Sequence, residues 1–266
     1  MDRRDRLELT RTRAAACGAV LAVCSWLVAG GASAVGATGS PSPVTPLSSG
    51  ADAKLPPPWH IVTLPKIPRH TRYELVAIDG RRAVRAEADG SYANVVHPLA
   101  GTASDVSATP VLRWSWRADR FPAGSDLAVK AGDDVAAKVC VLFDVPLERL
   151  SFGDRLKVEL GRRLFDPQLP AATLCYLWDR AQPPGTWLPN VYTDRVRMLV
   201  LRSAAAGEQQ RWFDERRDLR ADFALAFPDE ARGGLPRVSA VAFASDADNT
   251  GTSTLAYFGD IALAPE

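Results

Sequence analysis

Near the C-terminus, the run Asp246-Ala247-Asp248-Asn249-Thr250-Gly251 places hard oxygen donors close together and follows them with a glycine. Carboxylate and amide oxygens at that spacing suit Ca²⁺, and the glycine lets the chain wrap an ion. Asp246, Asp248 and Asn249 are therefore the candidate metal ligands, and Ca²⁺ is the candidate cofactor. The run is not an EF-hand, because Thr250 stands where a further ligand should and no Glu follows at the right distance. The same residues also build turns by hydrogen-bonding their own backbone, with no ion. Both accounts stay open at this level.

Two further carboxylate pairs could do chemistry. Asp133-Asp134 precedes a long apolar run, and paired carboxylates can share a metal or divide acid and base roles. Adjacent side chains point in different directions, so one of the two can equally serve as a turn cap. Asp218 and Asp222 lie one helical turn apart, on one face, with Arg217 and Arg220 near enough to neutralise them. These four are the catalytic candidates. Trp187 and Tyr192 fall in a Pro-rich stretch, and with Trp178 and Arg195 they are the candidate ligand contacts. Rings flanked by Arg, Asp and Asn suit a sugar, the ring for its face and the polar groups for its hydroxyls. Packing beneath the loop is the competing role for the rings.

Recognised catalytic signatures are missing. The chain has no G-x-S-x-G, no H-E-x-x-H, no Walker A and no G-x-G-x-x-G after a strand. Its three histidines, His60, His70 and His97, are scattered.

The elements that must position these residues read as strands. Arg72–Ile78 alternates, Asp79-Gly80 is a strong hairpin signal, and Val84, Ala86 and Ala88 share a face of the returning strand. Val111–Arg117 puts Leu112, Trp114 and Trp116 inward and Arg113, Ser115 and Arg117 outward. Val135–Val145 is nearly all apolar, as in a central strand covered on both sides. Thr173–Trp178 and Val196–Ser203 add two more strands, and the stretch from Pro183 to Asn190 between them reads as an irregular loop. Val238–Ala244 and Leu255–Leu263, flanking the Asp246 loop, read as the closing hairpin. Leu156, Leu160 and Leu164 predict one short helix, and Leu219, Phe223 and Phe227 predict another from Asp214 to Pro228. The pattern predicts an all-β, antiparallel β-sandwich of jelly-roll type with two short inserted helices.

The N-terminus sets the compartment. Five arginines within residues 1–13, an apolar run from Ala14 to Ala29 and Ala32-Ser33-Ala34 read as a secretory signal cut after Ala34, the alternatives being an uncleaved membrane anchor and, as the lesser one, a lipoprotein at Leu21-Ala22-Val23-Cys24. The run is too short to span a bilayer, so no transmembrane segment is expected after cleavage. Residues 35–58, rich in Pro, Ser and Gly, read as a disordered linker, and residues 59–266 as the sandwich domain. The leader takes five of the 32 basic and three of the 31 acidic residues, so the charges left nearly balance. A balanced chain is a poor match for nucleic acid or anionic lipid. Cys17 and Cys24 leave with the signal. Cys140 and Cys175 remain, as a disulfide if their strands are neighbours or as two separately buried small residues.

Several segments carry a resemblance. They include Arg69-His70-Thr71-Arg72-Tyr73-Glu74-Leu75, Val111–Arg117, Gly132-Asp133-Asp134 and Leu174-Cys175-Tyr176-Leu177-Trp178. Tyr192-Thr193-Asp194-Arg195-Val196, Arg217-Asp218 with Asp222, Ser245–Gly251 and Tyr257-Phe258-Gly259-Asp260-Ile261 complete them. Together they resemble the bacterial family known as domain of unknown function 3047 (DUF3047), over nearly all of residues 59–263. The resemblance implies an exported bacterial protein and implies no activity. In strand pattern the end of the chain is also similar to jelly-roll carbohydrate-binding modules.

These readings favour a non-catalytic binding module for an envelope or extracellular saccharide. The alternatives are a carboxylate- or metal-dependent hydrolase acting on an envelope substrate, built from Asp133, Asp134, Asp246 and Asp248, and a structural envelope interaction protein.

Overall fold

The computed structural model describes residues 42–64, 67–164 and 169–266. Residues 1–34, where a signal is expected, lie outside them. Among the described residues no helix is long and apolar enough to cross a membrane.

Among the described residues twelve strands form two sheets. The first runs β1 (His60–Val62), β4 (Asn94–Pro98), β11 (Arg237–Ala244), β6 (Ala137–Asp144), β7 (Ala172–Asp179), β9 (Thr193–Ser203), β8 (Trp187–Asn190). The second runs β10 (Phe213–Asp218), β5 (Val111–Arg120), β12 (Ser253–Ala264), β3 (Arg81–Asp89), β2 (Arg72–Ile78). Pairing is antiparallel except between β7 and β9, which run parallel. The result is a β-sandwich, as the alternation in the sequence predicts.

Period-two patterning sets which side chains meet between the layers. Leu112, Trp114, Trp116 and Ala118 of β5 face inward and are buried. They meet Leu174, Tyr176 and Trp178 of β7, with Trp114 against Tyr176 and Trp116 against Trp178 at ring-centroid distances of 5.1 and 5.6 Å. Every residue of β7 is buried. Its other face is covered by a smaller cluster of Leu127, Val135, Leu177 and Met198 around the two cysteines. Cys140 and Cys175 stand directly opposite one another on β6 and β7 and form a disulfide. The β2–β3 hairpin turns at Asp79 and Gly80, both at positive φ (50° and 73°), as a type I′ turn requires.

Four expectations are corrected. β11 and β12 are not a hairpin: each lies inside a different sheet, so the Asp246 loop is an arch between the layers. Both strands are apolar on the inward side, and each is already flanked by two partners. The second helix, α2 (Leu219–Ala226), starts five residues later than expected, because Phe213, Glu215 and Arg217 alternate and pair with β5 as β10. A four-residue helix, α3 (Pro228–Ala231), follows it, and the first helix, α1 (Phe152–Leu164), turns Val158 inward while Leu156 and Leu160 are exposed. The linker expectation fails from Ser42 onward. Val44 and Leu47 are buried in the main core, the Trp59 indole donates to the Thr45 carbonyl (2.8 Å), and Ser48 donates twice to Asp260 (2.7 Å each). Two apolar residues and a few caps suffice to fasten a segment that its composition alone marks as unstructured.

Candidate functional site

The arch between β11 and β12 meets the loop that leads into β6 at one end of the sandwich. Residues far apart in sequence converge there. Asp246, 4% exposed, accepts from the Val135 N–H (2.7 Å) on one oxygen and from the Lys138 ammonium (2.7 Å) on the other. Asp134, wholly buried, accepts from the N–H groups of Asn249 (3.2 Å) and Thr250 (2.7 Å). One carboxylate oxygen from each of Asp134, Asp246 and half-buried Asp248 lies within 4.8 Å of the others. Each loop therefore satisfies backbone groups of the other.

Electrostatics follow from burial. Desolvation pushes the Asp246 carboxyl up to about 6, Lys138 opposing and Asp134 adding to the rise. Desolvation and the neighbouring Asp134 also raise Asp248. For Lys138, burial lowers the ammonium, but Asp246 and Tyr92 outweigh it and hold it above its ordinary value. Its Nζ lies 4.6 Å from the centroid of the Tyr92 ring. One ammonium thus faces three buried or half-buried carboxylates.

Around this cluster is a more open rim. Asp133 accepts from the Asn190 amide (2.9 Å). The Asn249 amide donates to the Tyr192 hydroxyl (2.9 Å) and to the Lys130 carbonyl. Tyr192 is 57% exposed, and the Lys130 ammonium sits 5.1 Å from its ring centroid. Asp133, Asp134, Asp246, Asp248, Asn249 and Tyr192 are therefore neighbours. Within the acidic cluster, Asp134 takes the place expected of Asn249, whose amide nitrogen is turned toward Tyr192 and Lys130. Sequence reasoning missed Lys138, Tyr92, Lys130 and Asn190. The signal for Lys138 was present: it is the one lysine in an otherwise apolar central strand, and a buried ammonium needs a partner.

The other candidates fall elsewhere, and their roles are corrected. Asp218 caps α2, accepting from the N–H groups of Arg220 and Ala221. Asp222 is buried, grips Arg217 through two contacts (2.8 and 2.5 Å) and accepts from the Tyr176 hydroxyl (2.8 Å). Asp222, 2% exposed, is closed to a substrate, and one oxygen of Asp218 is taken up by the cap. Trp178 is 0% exposed and offers no ring face to a ligand. Trp187 is half-buried in edge strand β8 and packs on the main core, the stretch expected as irregular loop having paired with β9. Arg195 donates to Glu230 (2.7 Å) and the Ala171 carbonyl (2.8 Å) and lies over Phe227, tying β9 to α3. Asp222→Asn is expected to cost about 3 kcal/mol, because it leaves Arg217 without its charged partner. Denaturant unfolding of the variant measures this, and a loss under 1 kcal/mol contradicts the role.

Among curated proteins nothing matches the chain. Among solved structures, one similar fold is titled as a native-structure cellulase, endo-1,4-beta-glucanase CelB2. The two are 14% identical, the match covers 81% of this chain and 99% of that one, and the TM-score is 0.38. A likeness of that degree carries no argument here. The sequence itself matches a family described as "Protein of unknown function (DUF3047)" over residues 57–262, almost the whole of the sandwich, and the chain belongs to that family.

Proposed function

We propose that this protein is a non-catalytic binding module for a saccharide of the cell envelope or its surroundings, exported by the leader at residues 1–34. The observation that carries this reading is the rim at the end of the sandwich. There an exposed Tyr192 ring stands beside the Asn249 amide and the Asp133–Asn190 pair, and the Asn249 backbone N–H is held by buried Asp134. An aromatic face takes the C–H side of a sugar, and amides and carboxylates take its hydroxyls. The buried disulfide fits an oxidising compartment.

The hydrolase alternative draws less support. Two of its four carboxylates, Asp134 and Asp246, are buried, and every oxygen of both already accepts an N–H. Ca²⁺ is the cation we assign to the acidic cluster, held by half-buried Asp248 and by the lone pairs of Asp134 and Asp246 that their N–H bonds leave over, because three carboxylates face one ammonium there. Its chemistry would be charge neutralisation and loop ordering. At a hundred times its dissociation constant a specific ion adds about 2.7 kcal/mol, a rise in Tm of roughly 5–10 °C for a domain of this size. Thermal melts with Ca²⁺ and with a chelator test this. Identical melting temperatures remove the ion and leave Lys138 as the counter-charge.

Tyr192→Ala is expected to weaken saccharide retention roughly 5- to 150-fold with Tm unchanged, the loss of one stacking ring being worth about 1–3 kcal/mol. Retention that ignores the substitution overturns the rim as the contact surface.

A further inference from the structure

The second sheet has an outward face that differs from the rim and shares no residue with it. Between Phe258 and Ile261 the β12–β5 register shifts, and Gly259 is pressed against Ser115, where a side chain would collide with the Ser115 hydroxyl. Beside this irregularity lies a hollow of about 490 Å³, within the range of small-ligand sites. Arg81, Arg82, Arg113, Ser115, Asp214 and Asp260 are among its walls.

Most of the hollow's polar groups are already engaged. Arg81 pairs with Asp214 (3.2 Å) and lies over the Trp212 ring, and Arg82 donates to the Gly50 carbonyl (2.7 Å). Asp260 accepts twice from Ser48. Glu215, also in the wall, accepts from Arg202 (2.7 Å) and the Trp116 indole (3.0 Å). Among the described residues, exposed Arg113 and the Ser115 hydroxyl have no such partner. They are two residues apart on β5 and so project from the same face of it.

We propose that this hollow binds a uronate, a sugar unit bearing a carboxylate. The Arg113 guanidinium takes the carboxylate in its planar fork. Ser115 and the Asp214 oxygen that Arg81 does not hold take ring hydroxyls. The acidic members of the wall disfavour a dianion such as phosphate, whereas a monoanion that also donates hydroxyl protons suits both signs of charge. On the same outward face, Arg72, Glu74, Arg85 and Glu87 line a second hollow of about 380 Å³ on β2 and β3. There Arg72 and Arg85 both pair with Glu87 (3.0 and 2.7 Å), so the uronate site is the Arg113 hollow alone.

The test is retention of the purified protein on polygalacturonate, on a neutral glucan and on heparin, for wild type, Arg113→Ala and Tyr192→Ala. The site requires retention on polygalacturonate, weakened about 10- to 100-fold by Arg113→Ala, the scale of a lost charge-assisted hydrogen-bonded contact. Arg113 is exposed, so Tm of the variant stays at the wild-type value, and this shows that folding is intact. No retention on polygalacturonate overturns the proposal, as does retention indifferent to Arg113→Ala. Equal retention on heparin overturns it too, because it marks a general anion surface. Retention on neutral glucan that falls with Tyr192→Ala alone, with none on polygalacturonate, sinks the groove and leaves the rim standing.

Discussion

Asp246→Ala is expected to destabilise the protein by about 3–5 kcal/mol, the cost of breaking a buried ion pair from one side. The substitution leaves the Lys138 ammonium, 18% exposed, without its carboxylate and removes the acceptor of the Val135 N–H. Asp246 and Val135 also bond backbone to backbone, Asp246 N to Val135 O at 3.1 Å, so the loss loosens the junction of arch and β6 entry loop together. The double variant Asp246→Leu with Lys138→Met should recover much of the loss, since apolar replacement of a buried pair is often neutral. Denaturant unfolding of the single and double variants gives the coupling between them. A single-variant loss below 1 kcal/mol contradicts the account.

The pH dependence has a definite sign. The folded Asp246 carboxyl titrates near 6, above the value of about 3.9 for an unfolded aspartate, so between the two the folded state holds more protons. The contribution of this group to stability therefore rises as pH falls from about 6 toward 4, and is weakest above 6. In Asp246→Ala that component is gone. A stability profile of wild type and variant that run parallel from pH 4 to 7 is the contrary result.

Loss of the Cys140–Cys175 bond is expected to cost about 4 kcal/mol. The bond closes a loop of 35 residues, and the chain-entropy relation gives that figure for such a length. For a domain of this size the figure corresponds to a fall in Tm of roughly 8–15 °C. The two cysteines are 8% and 5% exposed, so reductant should act slowly below the melting transition. The paired Cys140→Ser and Cys175→Ser substitutions avoid that delay. Thermal melts of that variant against wild type decide the matter, and equal melting temperatures contradict a stabilising bond.

Much of the architecture was legible because it rests on period-two alternation. Leu112, Trp114 and Trp116 were assigned inward and are buried, and Asp79-Gly80 marked a hairpin that forms. What alternation does not encode is pairing. Val238–Ala244 and Leu255–Leu263 are adjacent in sequence and apolar, yet each completes a different sheet. Local pattern cannot separate an arch from a hairpin when the connecting loop is long. The same limit hid the acidic cluster's third member: Asp134 lies 112 positions before Asp246 and reaches it only because β6 and β11 are neighbours. Trp178 and Asp222 were credited with chemistry for their residue types, and tertiary burial gave both to the core. The boundary of α2 failed for a related reason, since the alternation at Phe213, Glu215 and Arg217 counts only once β5 is known to be its partner.

The central claim is that the rim around Tyr192 binds saccharide without turning it over. Its most direct test is retention of the purified protein on a panel of polysaccharides and peptidoglycan, wild type beside Tyr192→Ala, with the flow-through assayed for released reducing ends. The account predicts specific retention on at least one material, loss of that retention in Tyr192→Ala, and no release of sugar. Release of reducing ends by the wild type, abolished by an aspartate substitution in the cluster with the fold intact, would contradict it in favour of a hydrolase. An absence of retention on every material would contradict it in favour of an envelope partner.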